Sequence, residues 1–160
     1  MKSKVGAGLI AGLIGAIISG IVMQCCAVSS DFGSLSMMDL NGKLLGNTSL
    51  VVGWLNTIVS GGILGMIFGG WLGARCINMR ASIIQGLLFG LGLWFVGGLI
   101  LEPLMLKTAV FAFTSTFAWL ALLSYLVYGL FMGACFPGIY KPGVVQSVRD
   151  FGERVGAGRM

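Results

Sequence analysis

The chain has 160 residues, 57% hydrophobic and only 9% charged, and ten Lys and Arg against five Asp and Glu give a net charge of +5. Soluble domains carry about 25% charged residues, so this composition excludes a water-soluble globule: a chain this short could not hide so much apolar surface in one core. The 27 glycines fall inside apolar runs, and with three prolines and no Gly-X-Y period they exclude collagen and a flexible linker.

Crossing about 30 Å of hydrocarbon takes about 20 apolar residues in a helix, and the sequence predicts such spans over Val5–Cys26, Ser49–Ala74, Ala81–Leu101 and Phe117–Phe136. The first follows Lys2 and Lys4 and carries small residues at every fourth position, Gly8, Gly12, Ala16 and Gly20, with Gln24 at its far end. A signal peptide cleaved after Ala27-Val28-Ser29 is the rival reading, but the apolar run exceeds the roughly 7–15 residues of a signal core, and its glycine stripe matches the later spans. The following loop contains the turn signal Asn41-Gly42 and an Asn47-Thr48-Ser49 sequon that abuts the membrane.

The second span has the longest stripe, Gly53, Thr57, Gly61, Gly65, Gly69 and Gly73, with Asn56 and Ser60 beside it. Steps of four advance about 40° round a 3.6-residue helix, so this stripe wraps too far for one partner and implies several neighbours or another subunit. The third span carries Gly86, Gly90 and Gly98 and closes on Glu102-Pro103; the fourth carries Ala121, Gly129 and Gly133 beside Ser124 and Tyr125. Glycines inside a soluble helix cost about 1 kcal/mol each, whereas between bilayer helices they allow the close backbone approach that drives association. The expected fold is therefore an all-α, four-helix transmembrane bundle over residues 1–136. A tail over 137–160 follows, with a short amphipathic helix from Pro142 to Val155 whose apolar face is Val144, Val148, Phe151 and Val155.

With four crossings both ends share a side, which would hold Lys2, Lys4, Arg75, Arg80, Lys141, Arg149, Arg154 and Arg159, against only Lys43 and Lys107 on the other. This asymmetry predicts cytoplasmic ends and accounts for the net charge without a nucleic-acid partner. A faint internal repeat accompanies it. Sliding the first span by 78 positions superposes Gly8, Gly12 and Gly20 on Gly86, Gly90 and Gly98; sliding the second by 68 superposes Gly61 and Gly65 on Gly129 and Gly133. That pattern would be a parallel 2+2 duplication about an axis along the membrane normal.

At about 1.5 Å per residue, Gln24, Asn56, Glu102, Ser124 and Tyr125 all fall in one layer near the end of the bundle away from the termini. Glu102 is the sharpest of them, because an intramembrane carboxylate is expensive and tends to mark an ion or proton path. The plainer alternative is that Glu102-Pro103 simply ends the third helix among the headgroups. Asn56 and Gln24 also suit ordinary hydrogen bonding between helices.

Other chemistries find no support. The chain has no histidine, which excludes haem ligation through histidine and a histidine acid–base pair, and adjacent Cys25 and Cys26 suit neither a relaxed disulfide nor a zinc knuckle. Cys76 and Cys135 belong at the opposite end, so all four cysteines are expected to pack as small hydrophobes. Trp54, Trp71, Trp94 and Trp119 suit belt and packing roles, and the methionines are too scattered for a copper pathway. No cofactor, metal or catalytic group is expected.

Three segments carry a resemblance: Val52-Gly53-Trp54-Leu55-Asn56, the Gly90–Gly98 run followed by Glu102-Pro103-Leu104-Met105, and Tyr125-Leu126-Val127-Tyr128-Gly129. They resemble an uncharacterised family of small four-span prokaryotic membrane proteins. Asn56 and Tyr125 stand where that family shows histidines and Glu102 where it shows methionine, so the resemblance implies a fold and a location but no activity. Two functional readings follow. One is a noncatalytic accessory or assembly subunit, its surplus glycine stripes meeting other membrane subunits or further copies of itself. The other is a small transporter or channel protomer whose polar layer lines a path at an oligomer centre, the glycine-rich helices being expected to pack too tightly for a path within one protomer.

Overall fold

The computed structural model describes residues 3–30, 33–47, 49–76, 78–106 and 116–140. In chain order these form α1 (Lys4–Cys25), a short hairpin of β1 (Ala27–Ser30) and β2 (Gly33–Ser36), α2 (Met37–Lys43), α3 (Leu50–Trp71), α4 (Met79–Leu93), a π-helical stretch over Trp94–Leu101, α5 (Glu102–Leu106) and α6 (Thr116–Tyr140). The stretch from α4 to α5 is one continuous span, Met79–Met105, so four helices among the described residues are long and apolar enough to cross a membrane. The fold is an all-α bundle, with the antiparallel hairpin, Ala27 opposite Ser36, as its one small β element among the described residues.

α3 is built inside-out relative to a soluble helix. On α3 the buried positions include Gly53, Thr57, Gly61, Gly65 and Gly69, while Val51, Leu55, Val59, Ile63 and Ile67, two residues out of step with them, are 47–66% exposed. Water would reverse this arrangement. In lipid the large side chains lose nothing by facing outward, and the small ones let backbones touch.

The glycine stripes form two seams. Along α1 and α3, a Cβ on Gly12 would fall 2.7 Å from Gly65 Cα and one on Gly8 2.9 Å from Gly69 Cα; along α4 and α6, one on Gly86 would fall 2.9 Å from Gly133 Cα. Gly90 and Gly129 extend the second seam, Gly61 lies against Ala16, Gly20 lies beneath the Trp54 ring and Gly98 against Trp94. Polar groups reinforce the contacts. Buried Ser82 donates to Gly133 O at 2.7 Å, and Tyr128 Oη donates to Gly61 O at 2.8 Å, joining α6 to α3.

The two seams share a geometry but not the expected register. Gly8 meets Gly65 and Gly69 where Gly86 meets Gly129 and Gly133, so the second helices correspond with an offset of 64, one helical turn away from the 68 that superposes most glycines. Nor does the contact between the hairpins follow a two-fold axis. α1 packs closely on both α3 and α6, and α6 on both α1 and α4, whereas α3 and α4 have little backbone contact. Phe68 fills the gap between them in the half of the bundle that holds Lys4 and Tyr140, edge-on to Phe89 and Phe136 with ring centroids 5.5 Å away from each. In the other half the gap stays open.

Three local expectations are corrected. Asn41-Gly42 is not a turn but lies inside α2, which Ser36 and Asp39 start with a reciprocal capping box; the turn follows at Gly46, where φ is +81°. Glu102-Pro103 does not end the third helix, and α6 runs through Pro137 to Tyr140 rather than stopping at Phe136. The tail helix, Lys2, Lys107, Thr48 of the sequon and the basic residues beyond Tyr140 lie outside the described residues. Lys4, Arg75 and Arg80 lie at the end of the bundle where α1 begins, and Lys43 on α2 lies at the other.

Candidate functional site

The open half of the bundle holds a cavity of about 240 Å³, walled by α1, α3, the third span and α6 and covered by α2. Four of the five residues expected in one polar layer line it: Asn56, Glu102, Ser124 and Tyr125. Gln24 does not. It is exposed, and its Oε1 accepts from Trp54 Nε1 at 3.1 Å, while Met23, about 100° away round the same helix, takes the place on the cavity wall. The cavity also lies within one protomer. Tight seams on α1–α3 and α4–α6 do not close the bundle, because α3 and the third span part company.

The π-helical stretch is what aims Glu102 inward. Four-residue steps along an α-helix drift by about 40°, so Gly86 to Trp94 accumulates about 80°. At about 4.4 residues per turn, the two steps from Trp94 to Glu102 fall back by roughly 65°. Glu102 thus returns to within about 15° of the Gly86 face, toward α6. The wider winding has a local cause in Pro103, which lacks an N–H and would clash with a carbonyl four residues back in regular helix. Glu102 N–H accordingly donates to Gly97 O, five residues back.

Across the gap, Tyr125 Oη donates to Glu102 Oε1 at 2.7 Å. Gly97 makes room for that hydroxyl, since a Cβ there would sit 2.7 Å from Tyr125 Oη. A second network ties the cover to the wall. Asn41 Nδ2 on α2 donates to Thr57 Oγ1 at 2.7 Å, and Asn56 Nδ2 donates to Asn41 Oδ1 at 2.8 Å. The hydroxyls of Ser19, Ser60 and Ser124 donate to carbonyls one turn back on their own helices, a pattern that leaves their oxygen lone pairs as the outward-facing polarity. Met37 and Met38 are fully buried beneath α2, anchoring it on Gly53 and Thr57.

Ser19, Asn41, Thr57 and Tyr128 are the polar wall groups that the sequence did not single out as functional. The signal for Asn41 was present: Ser36-Met37-Met38-Asp39 has the spacing of a capping box and marks a helix start five residues before it. Among the described residues no Lys or Arg lines the cavity, and no three His, Cys, Asp or Glu side chains gather as a metal-holding group.

The remaining candidates take packing positions. Trp94 Nε1 donates to Ala118 O at 2.8 Å, and Trp71 and Trp119 face outward. Cys25 is exposed and Cys76 buried; burial pushes the Cys76 thiol up, partly opposed by Ser82. Comparison with protein-family models, with curated proteins and with solved structures finds no match for this chain.

Proposed function

We propose that the protein is a small noncatalytic membrane carrier that binds a cationic solute within its own four-helix bundle. The observation that carries this reading is a carboxylate, Glu102, set into a cavity with no Lys or Arg on its wall among the described residues and held in place by Tyr125. An ionisable group within an apolar span of membrane-crossing length is costly and is tolerated where it faces a cavity and serves a pathway. The surrounding hydroxyl and amide oxygens add partial negative charge of the same sense.

The accessory-subunit reading drew on a stripe with more positions than one partner could cover. That stripe is occupied inside the chain, Gly53 by α2, Gly65 and Gly69 by α1, and Gly73, just past α3, by Phe136 of α6. The cavity is therefore the better-supported basis for function. The Lys and Arg asymmetry supports a cytoplasmic placement of both ends, with α2 and the cavity toward the outer face, and the resemblance to small four-span proteins supports a prokaryotic inner membrane.

The test is cation-driven or proton-driven flux in proteoliposomes containing the full chain. Wild-type protein should support flux and Glu102→Gln should abolish it while far-UV circular dichroism stays unchanged. No flux from wild type, or equal flux from the variant, removes the reading.

A further inference from the structure

Resting on that reading of the cavity as a cation site, we infer that its ligand is a small organic cation of the alkylammonium class rather than a bare metal ion. The size of the cavity is the first reason. At about 240 Å³ it equals the liquid volume of roughly eight waters and lies just below the roughly 300–1,000 Å³ of sites for drug-sized molecules. That is far more room than a dehydrated metal ion fills.

The wall chemistry is the second reason. Hard cations such as Ca²⁺ need about six to eight oxygens converging at roughly 2.3–2.6 Å. Among the described residues one carboxylate lines the cavity, and the neutral oxygens of Ser19, Asn56, Ser60 and Ser124 are spread over α1, α3 and α6 while Glu102 sits on α5 with Tyr125 as its hydrogen-bond partner. Most of the rest of the wall is carbon and thioether, including Met23, Met37, Leu64, Leu101, Met105 and Phe117. A hydrated ion would press its waters against those groups. An alkylammonium ion instead matches them, its apolar body against Met, Leu and Phe and its charge against Glu102. Phe117, Tyr125 and Tyr128 place aromatic rings on the wall, and aromatic faces attract such cations. Methionine adapts to ligands of varied shape, which suits a class of ligand better than a single species.

The experiment is titration calorimetry of the purified full chain in detergent with choline, with its uncharged carbon analogue dimethylbutanol, and with Na⁺, K⁺ and Ca²⁺. Choline should bind at least about tenfold more tightly than the neutral analogue, Glu102→Gln should weaken choline by about tenfold or more, and an excess of the inorganic ions should not displace it. Ser60→Leu keeps Glu102 but narrows the cavity, and should weaken choline binding by about tenfold or more; it also serves if Glu102→Gln fails to fold. Equal binding of dimethylbutanol and choline, or choline binding unchanged by Ser60→Leu, overturns the inference. Glu102-dependent binding of Na⁺, K⁺ or Ca²⁺ without choline binding overturns the ligand class and leaves the cation site standing. Binding of no cation, together with flux indifferent to Glu102→Gln, overturns both.

Discussion

Adding one methyl group at Gly65 should separate α1 from α3. A Cβ there would lie 2.7 Å from Gly12 Cα and also strike Gly8 O, whereas carbon atoms rest at about 3.5–4.0 Å. Both obstacles are backbone, so no side chain can swing aside and the helices must part by roughly 1 Å. A gap of that size forfeits about a quarter to a half of a well of about 0.1–0.2 kcal/mol per atom pair; with roughly 40 pairs along the seam, as many as one buried leucine makes, the loss is about 1–4 kcal/mol. Gly92 is the control, because nothing lies within 4 Å of a Cβ built on it, and alanine there should be neutral or stabilising by up to about 1 kcal/mol. Unfolding in mixed micelles of dodecylmaltoside and increasing SDS, followed by far-UV circular dichroism, measures both. If Gly65→Ala unfolds at the same SDS fraction as Gly92→Ala, the seam is not a backbone contact and the account of the bundle fails.

Tyr128→Phe removes the hydrogen bond to Gly61 O without altering the ring, and should cost about 0.5–1.5 kcal/mol in the same assay; no loss would mean that the bond is not formed in the folded state. Asn41→Ala cuts the links from α2 to Thr57 and Asn56, so amide exchange over α2 should speed up by about tenfold for each 1.4 kcal/mol lost, and unchanged exchange would show that α2 is held by Met37 and Met38 alone. The cysteines should label in order of exposure. Cys25 is exposed, whereas Cys76 is buried with its thiol pushed up, so at a given pH below its titration it offers less thiolate. A maleimide should react with Cys25 promptly near neutral pH and with Cys76 slowly, faster as pH rises. In intact cells an impermeant maleimide should reach Cys25 from outside; labelling only after lysis would reverse the proposed orientation.

The four spans were legible to within a few residues because the length of an uncharged apolar run is a local property, unaffected by what packs beside it. α1 and α3 end within three residues of the expected limits, and every glycine singled out for helix packing, from Gly8 to Gly133, lies against a neighbouring helix or aromatic ring. Stripe spacing identifies a surface that wants a backbone partner. It does not say which partner, and the six positions of the second-span stripe turned out to be shared among α2, α1 and α6.

Proline told only half of its story. Pro103 and Pro137 both read as helix ends, since each removes an N–H, yet the first is accommodated by wider winding upstream and both helices continue. Asn41-Gly42 reads as a turn by local chemistry, but the capping box at Ser36 and the burial of Met37 and Met38 made it helix instead.

What this sequence settled by itself is a bundle of bilayer-length helices joined along small-residue seams, because hydrophobicity and residue size act at the scale of one or two turns. The separation of α3 from the third span was decided only in three dimensions, as was the return of Glu102 to the face of α6 and the folding of α2 over the opening. Each depends on angles summed along a helix and on contacts between segments far apart in the chain. A drift of about 40° per step, cancelled by one change of winding, is invisible residue by residue, yet it determines whether Glu102 faces lipid or a cavity.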